Sequence, residues 1–345
     1  MMRQMLSLSS YLAVKEVWRN RGRFLLVSLV IALITLLVLF IAALGEGLGN
    51  GNREYISKLD AQLIVYQAKS DFLIQASRLG RNRLAAVRRV DGVAEAGMLG
   101  AANATLVLAG ELDPLKVALL GAEPGRTGEP MVVQGQQLST DLAEEVIIDR
   151  NTALRSKLVL GDTLTLRVTQ GTQDEFYNLR VVGITDGQQY SLQPSVFVPF
   201  YSWDRIRPKS EAEVNSPNPV ANVILVKLND PSTVDEVSAR LIAQVDNIET
   251  ATLKTAIQAL PGYSAQQSTL NTQGGFTLFI GILVIGGFFQ IQILQKVAQI
   301  GVLKAIGTPN PVVAAASVIQ ITLVTVIGVA IGGLLAFLFS LSFPP

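Results

Sequence analysis

Three long uncharged apolar stretches, set around a broad segment of shorter hydrophobic runs, dominate the pattern of this chain. From Phe24 to Leu44 it reads FLLVSLVIALITLLVLFIAAL, 21 residues without a charge, where about 20 suffice for a helix to cross a bilayer's hydrocarbon core. Gly274–Leu294 forms a second such run, and Pro311–Phe343 stays uncharged over 33 residues. The spacing predicts spans at 24–45, 274–294 and 311–343. A signal peptide is the competing reading of the first run. That run exceeds the usual h-region of about 7–15 residues and has no small-x-small cleavage site after it, so it is read as a retained helix.

Between the first and second runs the period shortens to that of strands. Candidates are Gln62–Gln67, Ala104–Leu108, Val117–Leu120, Glu145–Asp149, Thr163–Thr169, Leu179–Ile184, Val196–Pro199 and Asn222–Leu228, each rich in β-branched or alternating apolar residues. Ala76–Val90 and Val234–Val245 read as amphipathic helices, the second introduced by Ser232 and Thr233 as caps. The fold expected is a membrane protein: transmembrane α-helices carrying an α+β extracytoplasmic domain over 46–273. Proline and glycine punctuation near 121–130 and 208–219 divides that domain into an α/β part, about 58–121 and 206–262, and a β-rich insertion, about 122–205. The glycine-rich run Gly45–Gly51 follows an apolar helix rather than a strand and fits no phosphate-binding motif, so it is read as a pliable junction.

Charge sets the direction. Arg3, Lys15, Arg19, Arg21 and Arg23 precede the first run against a lone Glu16, and Lys296 and Lys304 lie between the second and third with no acid. The excess of Lys and Arg places both flanks in the cytoplasm and residues 46–273 outside, where the net charge is −5. Overall the 345 residues are 49% hydrophobic and 16% charged, with a net charge of +1, so no basic field recruits nucleic acid. Histidine and cysteine are both absent, which excludes thiolate chemistry, disulfides, histidine triads and the usual zinc sites. No catalytic constellation and no Walker A loop is present. The chain is not expected to be an enzyme or to bind a cofactor or metal.

The loop after the second span carries the most specific signal. Val297, Ile300, Leu303 and Ile306 fall on one side of a helix over 295–310, with Lys296 and Lys304 elsewhere and Gly307-Thr-Pro309 as its stop. Spacing alone leaves open a connector lying on the lipid surface. The segment Gln299-Ile300-Gly301-Val302-Leu303-Lys304-Ala305-Ile306-Gly307 resembles the coupling segment of MacB/FtsX-like ABC permeases, and Gln295-Lys296 before it resembles the HrtB-type branch. The lead-in Ala13–Phe24 is similar to the family's cytoplasmic amphipathic helix, expected here over 1–23. Val133-Gln-Gly135, Glu145–Asp149, Leu160-Gly-Asp162 and Val182-Gly-Ile184 follow the order of motifs in its outer domain. Gln299 stands where the family often has glutamate.

The resemblance implies a permease subunit of a bacterial ABC exporter in the cytoplasmic membrane. ATP and Mg²⁺ would be bound by a separate cytoplasmic ABC ATPase docked on residues 299–307. A second copy of the chain, the lipid bilayer and an extracytoplasmic adaptor are the other implied partners. The family has four membrane helices, of which three are seen here and the fourth is read as absent. Glu46, at the outer end of the first span, is the substrate candidate, with a wet helix-end carboxylate as the plainer reading. The cargo class is hydrophobic or amphipathic: haem, peptide or lipid. The alternative is an FtsX-like signal transmitter regulating an outside partner such as a cell-wall hydrolase.

Overall fold

The structure is a computed structural model that describes residues 11, 15, 17–108, 114–209, 219–305 and 310–342. Most of the lead-in helix expected over 1–23 lies outside these residues, as do Ile306, Gly307 and the stop that follows. The chain divides into two compact units, one of residues 1–46 and 267–345 and the other of residues 47–266.

Three long helices carry the apolar stretches: α1 (Arg21–Ser57), α7 (Tyr263–Ala305) and α8 (Asn310–Ser342). Segments of these helices at 24–47, 263–287 and 311–341 are long and apolar enough to cross a membrane. Gly45–Gly51 is helical and continues α1, which corrects the reading of a pliable junction. Gly45 and Gly51 serve close approach instead. A Cβ at Gly45 would stand 2.7 Å from the Leu270 side chain, and one at Gly51 would stand 2.9 Å from that of Leu192. Residues 295–305 likewise form the end of α7 rather than a separate helix. Gly301 is the single poor helix former between Leu294 and Ala305, and one glycine costs only about 1 kcal/mol, whereas proline, absent until Pro309, costs about 3 kcal/mol.

Within 1–46 and 267–345, α1 and α8 meet through small residues. A Cβ on Gly328 would lie 2.7 Å from Ile31, and one on Gly332 would lie 2.5 Å from the Ala32 carbonyl oxygen. Ser28 Oγ donates to the Val324 carbonyl at 3.2 Å. This is small-residue packing, where backbones approach because no side chain intervenes. The hydroxyls of Ser317 and Thr322 donate to carbonyls four residues back on their own helix, so they line no evident path.

The unit 47–266 is built on one mixed sheet. Its strands are β1 (Leu63–Gln67), β3 (Val93–Val107), β4 (Leu115–Ala122), β5 (Val132–Gly135), β6 (Glu145–Asp149), β7 (Thr163–Gln170), β8 (Gln173–Thr185), β9 (Ser195–Pro199), β11 (Val223–Leu228) and β12 (Ile248–Thr252). They run in the order β12-β1-β11-β3-β4-β9-β6-β8-β5, with β7 paired to β3 and β8. A small pair, β2 (Leu79–Gly80) with β10 (Val220–Ala221), stands apart. Segment 122–205 supplies β5 to β9 and its flanks supply the rest. The two parts share hydrogen bonds where β4 meets β9 in parallel and β3 meets β7.

Both faces of the sheet are covered, which is why its strands read as continuous apolar runs. On one face Leu63, Val65, Met98, Leu119 and Val196 pack beneath α2 (Arg81–Val87), α4 (Phe200–Ile206) and α5 (Val234–Gln244). On the other, Ile64, Tyr66, Leu99, Leu120 and Phe197 pack with Tyr55 and Ile56 of α1 and with Ala256 of α6 (Leu253–Gln258). Trp203 on α4 anchors the first face. It lies flat where a Cβ at Gly100 or Gly121 would stand 2.3–2.4 Å from it, and its Nε1 donates to the Leu119 carbonyl at 3.2 Å.

Two helix readings are corrected by this packing. Leu79 belongs to a strand pair, so the helix read over Ala76–Val90 begins only at Arg81. Thr233 makes no capping bond for α5, and Asp230 instead caps the preceding 3₁₀ turn through the Ser232 amide.

Candidate functional site

The residues expected to couple occupy the last turns of α7. Gln299, Ile300, Gly301, Val302, Leu303, Lys304 and Ala305 are all helical. Ile300 is half-buried, while Gly301, Val302, Lys304 and Ala305 are exposed. Val302 leaves 65% of its surface open and Val297 58%, on a helix end that also carries Lys304. The two valines, five residues apart, point to different sides of the helix, and Lys304 suits the negative end of the helix dipole. Ile306 and Gly307 lie outside the described residues.

Glu46 lies near the other end of the membrane unit. It is exposed on α1, beside Gly45, whose Cα packs against Leu270 of α7. Thirty residues of the same helix separate Leu270 from Ile300, about 45 Å at 1.5 Å per residue. Residues 299–305 and Glu46 therefore lie far apart, the first at the end of α7 and the second on α1 beside Gly45.

A grip on α1 forms the third element, and the sequence reading missed it. The loop between β8 and β9 wraps the last turns of that helix. The Tyr55 amide donates to the Gln189 carbonyl at 3.2 Å, the Leu192 amide to the Gly51 carbonyl at 3.1 Å, and the Gln189 amide to Glu54 Oε2 at 3.2 Å. Lys58 ties the loop again, through Glu54 Oε1 at 2.9 Å and through the Gly187 carbonyl. Only the Asp186-Gly187 turn signal hinted at this loop. Its partner on α1 is far away in sequence.

Buried polar groups gather on both sides of this loop. Asp149 caps α3 (Arg150–Ser156) through Oδ1, which accepts the Thr152 amide at 2.6 Å, while Oδ2 has no partner among the described residues. Burial raises its pKa from the ordinary 3.8, against the opposing pull of the Thr152, Ser195 and Gln188 amides. Tyr55 and Tyr66 are fully buried, with hydroxyls that lack a partner among the described residues. Burial pushes both phenols well above their usual range, as it does Tyr190. A buried polar group left unmatched costs about 1–3 kcal/mol. Among the described residues no three acidic, histidine or cysteine side chains converge on a point where a metal could sit.

Comparison with known proteins gives this arrangement its family. The profile of the MacB-like periplasmic core domain matches residues 24–244, and that of the FtsX-like permease C-terminal region matches 272–344. The hemin transport system permease protein HrtB of Staphylococcus epidermidis (strain ATCC 12228 / FDA PCI 1200) is 23% identical over 337 residues, covering 96% of this chain and 86% of its own. That of Staphylococcus haemolyticus (strain JCSC1435) is 24% identical over 320 residues, covering 92% and 82%. The periplasmic region of MacB from Actinobacillus actinomycetemcomitans is similar at a TM-score of 0.41 and 12% identity, over 60% of this chain and 96% of that structure. The extracellular domain of the noncanonic ABC-type transporter YknZ from Gram-positive bacteria gives 0.39 and 13%, over 55% and 99%. With one profile running from the first apolar helix through most of the outer sheet and the other covering the last two helices, the chain belongs to the MacB/FtsX family of ABC transporter permeases.

Proposed function

We propose that this chain is the permease subunit of a bacterial exporter in which a separate cytoplasmic ATPase, holding ATP and Mg²⁺, drives movement of the outer unit. The observation that carries this reading is the continuity of α7, unbroken from Tyr263 to Ala305. At about 1.5 Å per residue it is about 64 Å long, roughly twice a bilayer's hydrocarbon thickness of about 30 Å. A push on Ile300–Ala305 would be passed along this helix toward Tyr263. α1 is the matching lever, held at its far end by the 186–192 loop.

The basic residues beside the spans support a cytoplasmic N-terminus and an external 46–273 segment. The open apolar surface of α7, where Phe276, Leu278 and Ile282 are all more than 60% exposed, supports contact with lipid and with a second copy of the chain. An adaptor outside the membrane would meet the outer unit. The relatives named for hemin transport favour an amphipathic cargo of haem type over peptide or lipid, with Glu46 as its candidate contact at the outer end of the first span.

The test is co-purification. Val302 is exposed in this chain, so Val302→Asp leaves folding intact, yet it would bury an unpaired carboxylate in the ATPase groove at a cost of several kcal/mol. Tagged wild type is expected to bring down an ATPase whose activity falls at least tenfold with the variant. Equal recovery by both would remove residues 299–307 from the coupling role. If ATPase output responds only to a protein partner and never to a small hydrophobic compound, the signal-transmitter reading replaces export.

A further inference from the structure

A cavity in the outer unit stands apart by its chemistry. It encloses about 410 Å³, and its walls include Ile56, Phe72, Leu73, Ile74, Tyr190 and Leu260. That volume lies within the range of about 300–1,000 Å³ usual for small-molecule sites. Among the described residues no Lys, Arg, Asp or Glu lines it. The other two cavities described in this unit are polar, one beside Lys116, Arg167 and Asp174 and one beside Arg78 and Arg207.

Its rim is strained and fastened. Lys69, Asp71 and Phe72 in one loop and Ser191 and Leu192 in the other have φ between 54° and 66°. This left-handed region disfavours side chains, and non-glycine residues held there concentrate at ligand clamps and active sites. Of the seven such residues among those described, five stand in these two loops. The Glu249 carboxylate fixes the first loop by accepting the amides of Lys69, Ser70 and Phe72 at 3.1–3.5 Å and the Ser70 hydroxyl at 2.9 Å. The Leu192 amide fixes the second loop to Gly51. Behind the walls, Phe72 packs edge-on to Tyr66 at 5.6 Å and Tyr190 edge-on to Tyr55 at 5.8 Å. These are the two tyrosines whose buried hydroxyls lack a partner among the described residues.

We propose that this cavity binds an uncharged, ring-bearing hydrophobic molecule, held between Phe72 and Tyr190 against Ile56, Ile74 and Leu260. Aromatic walls favour edge-to-face contact with a ligand ring. Walls without counter-charge would strip water from an ionised group and return nothing, so an anionic amphiphile such as haem, with its two propionates, is not the class that fits. The site stands on the outer unit's own geometry and is distinct from the haem-type cargo of the exporter reading.

The whole chain in lipid nanodiscs, with no ATPase, is irradiated with benzophenone, an uncharged aromatic photoprobe, and the labelled peptides are mapped by mass spectrometry. Saturable labelling of residues 72–76 and 190–191 is expected. Ala76→Trp, which fills the cavity from an exposed position, should cut it at least fivefold, and Leu260→Trp should do the same from a second wall segment, with labelling of the apolar spans unchanged. 4-Benzoylbenzoate, the same two rings bearing a carboxylate, is expected to label the cavity at least tenfold less. Labelling that is confined to the spans, fails to saturate, survives both tryptophans or is matched by the carboxylate probe overturns the proposal. Because no ATPase takes part, loss of coupling through Val302→Asp leaves this readout unmoved, and failure of either reading is seen separately.

Discussion

In the outer unit, apolar strand residues are sealed on both faces of the sheet, and Leu63, Leu119, Phe197 and Trp203 expose 2% or less of their surface. In the unit of residues 1–46 and 267–345, residues of the same kind lie open, Leu278 at 67% and Leu334 at 59%. The first unit is held by burial of its own apolar surface away from water. The second cannot be, because lipid is as apolar as leucine, and it relies on close contact between small residues such as Gly328 and Gly332. Equal hydrophobicity in the sequence thus conceals two different sources of stability.

Deleting one large apolar side chain in each unit breaks the comparison most directly. Trp203→Ala is expected to destabilise the outer unit by about 3–5 kcal/mol, through lost transfer energy and a cavity over Gly100 and Gly121. Thermal unfolding followed by limited proteolysis would read this loss. Leu278→Ala in the same assay is expected to stay within about 0.5 kcal/mol of wild type.

Gly332→Leu should instead injure the helical unit, at about 1–3 kcal/mol, by forcing α8 from the Ala32 carbonyl. Because the chain has no cysteine of its own, a Ser28→Cys, Val324→Cys pair can report the contact. Its oxidative crosslinking is expected to drop at least fivefold when leucine is added.

Polar groups sharpen the same contrast on a smaller scale. Glu249→Gln is expected to cost the outer unit about 1.5–3 kcal/mol, the worth of hydrogen bonds to a charged group, and to raise amide exchange at 69–72 while 24–47 is unaffected. Asp149 gives the smallest and most specific effect. Its native pKa is raised by burial above the ordinary 3.8, so the folded state holds the proton more tightly than the unfolded one. Its contribution is therefore greatest at low pH and is lost as pH rises from about 4 through the native value. Asp149→Asn keeps an acceptor for the Thr152 amide and should flatten this part of the stability profile.

The membrane helices were legible because an uncharged run of 20 or more residues has few other uses. The β6 boundaries matched the reading of Glu145–Asp149 because a continuous apolar run, Val146–Ile148, ends there at an N-cap aspartate. Only the last third of β3 was read as a strand. Its first part, Val93–Asn103, is rich in alanine and glycine, a composition that weakens strand propensity and is required here because Trp203 lies against Gly100. The outer arm of β8, Gln173–Asn178, was missed for the opposite reason, since it pairs with β7 in the open and carries polar residues. Of the candidate site, the segment proposed for coupling stands out in the sequence as a motif. The loop gripping α1 and the aromatic cavity do not, because each is made by residues that meet only across the folded sheet.

The placement of β1 carries a consequence for biogenesis. Leu63 pairs with Val226 on one side and Thr252 on the other, so this strand, among the first to emerge, has no neighbour until nearly the whole outer unit has been synthesised. At about 5–20 residues per second the wait is on the order of ten to forty seconds. During that time an apolar strand with two open edges must be kept from pairing with anything else. Passage of the segment across the membrane in an extended form meets that need, since a chain still threading outward cannot close its sheet early. Topogenesis and folding are thereby ordered by the same strand.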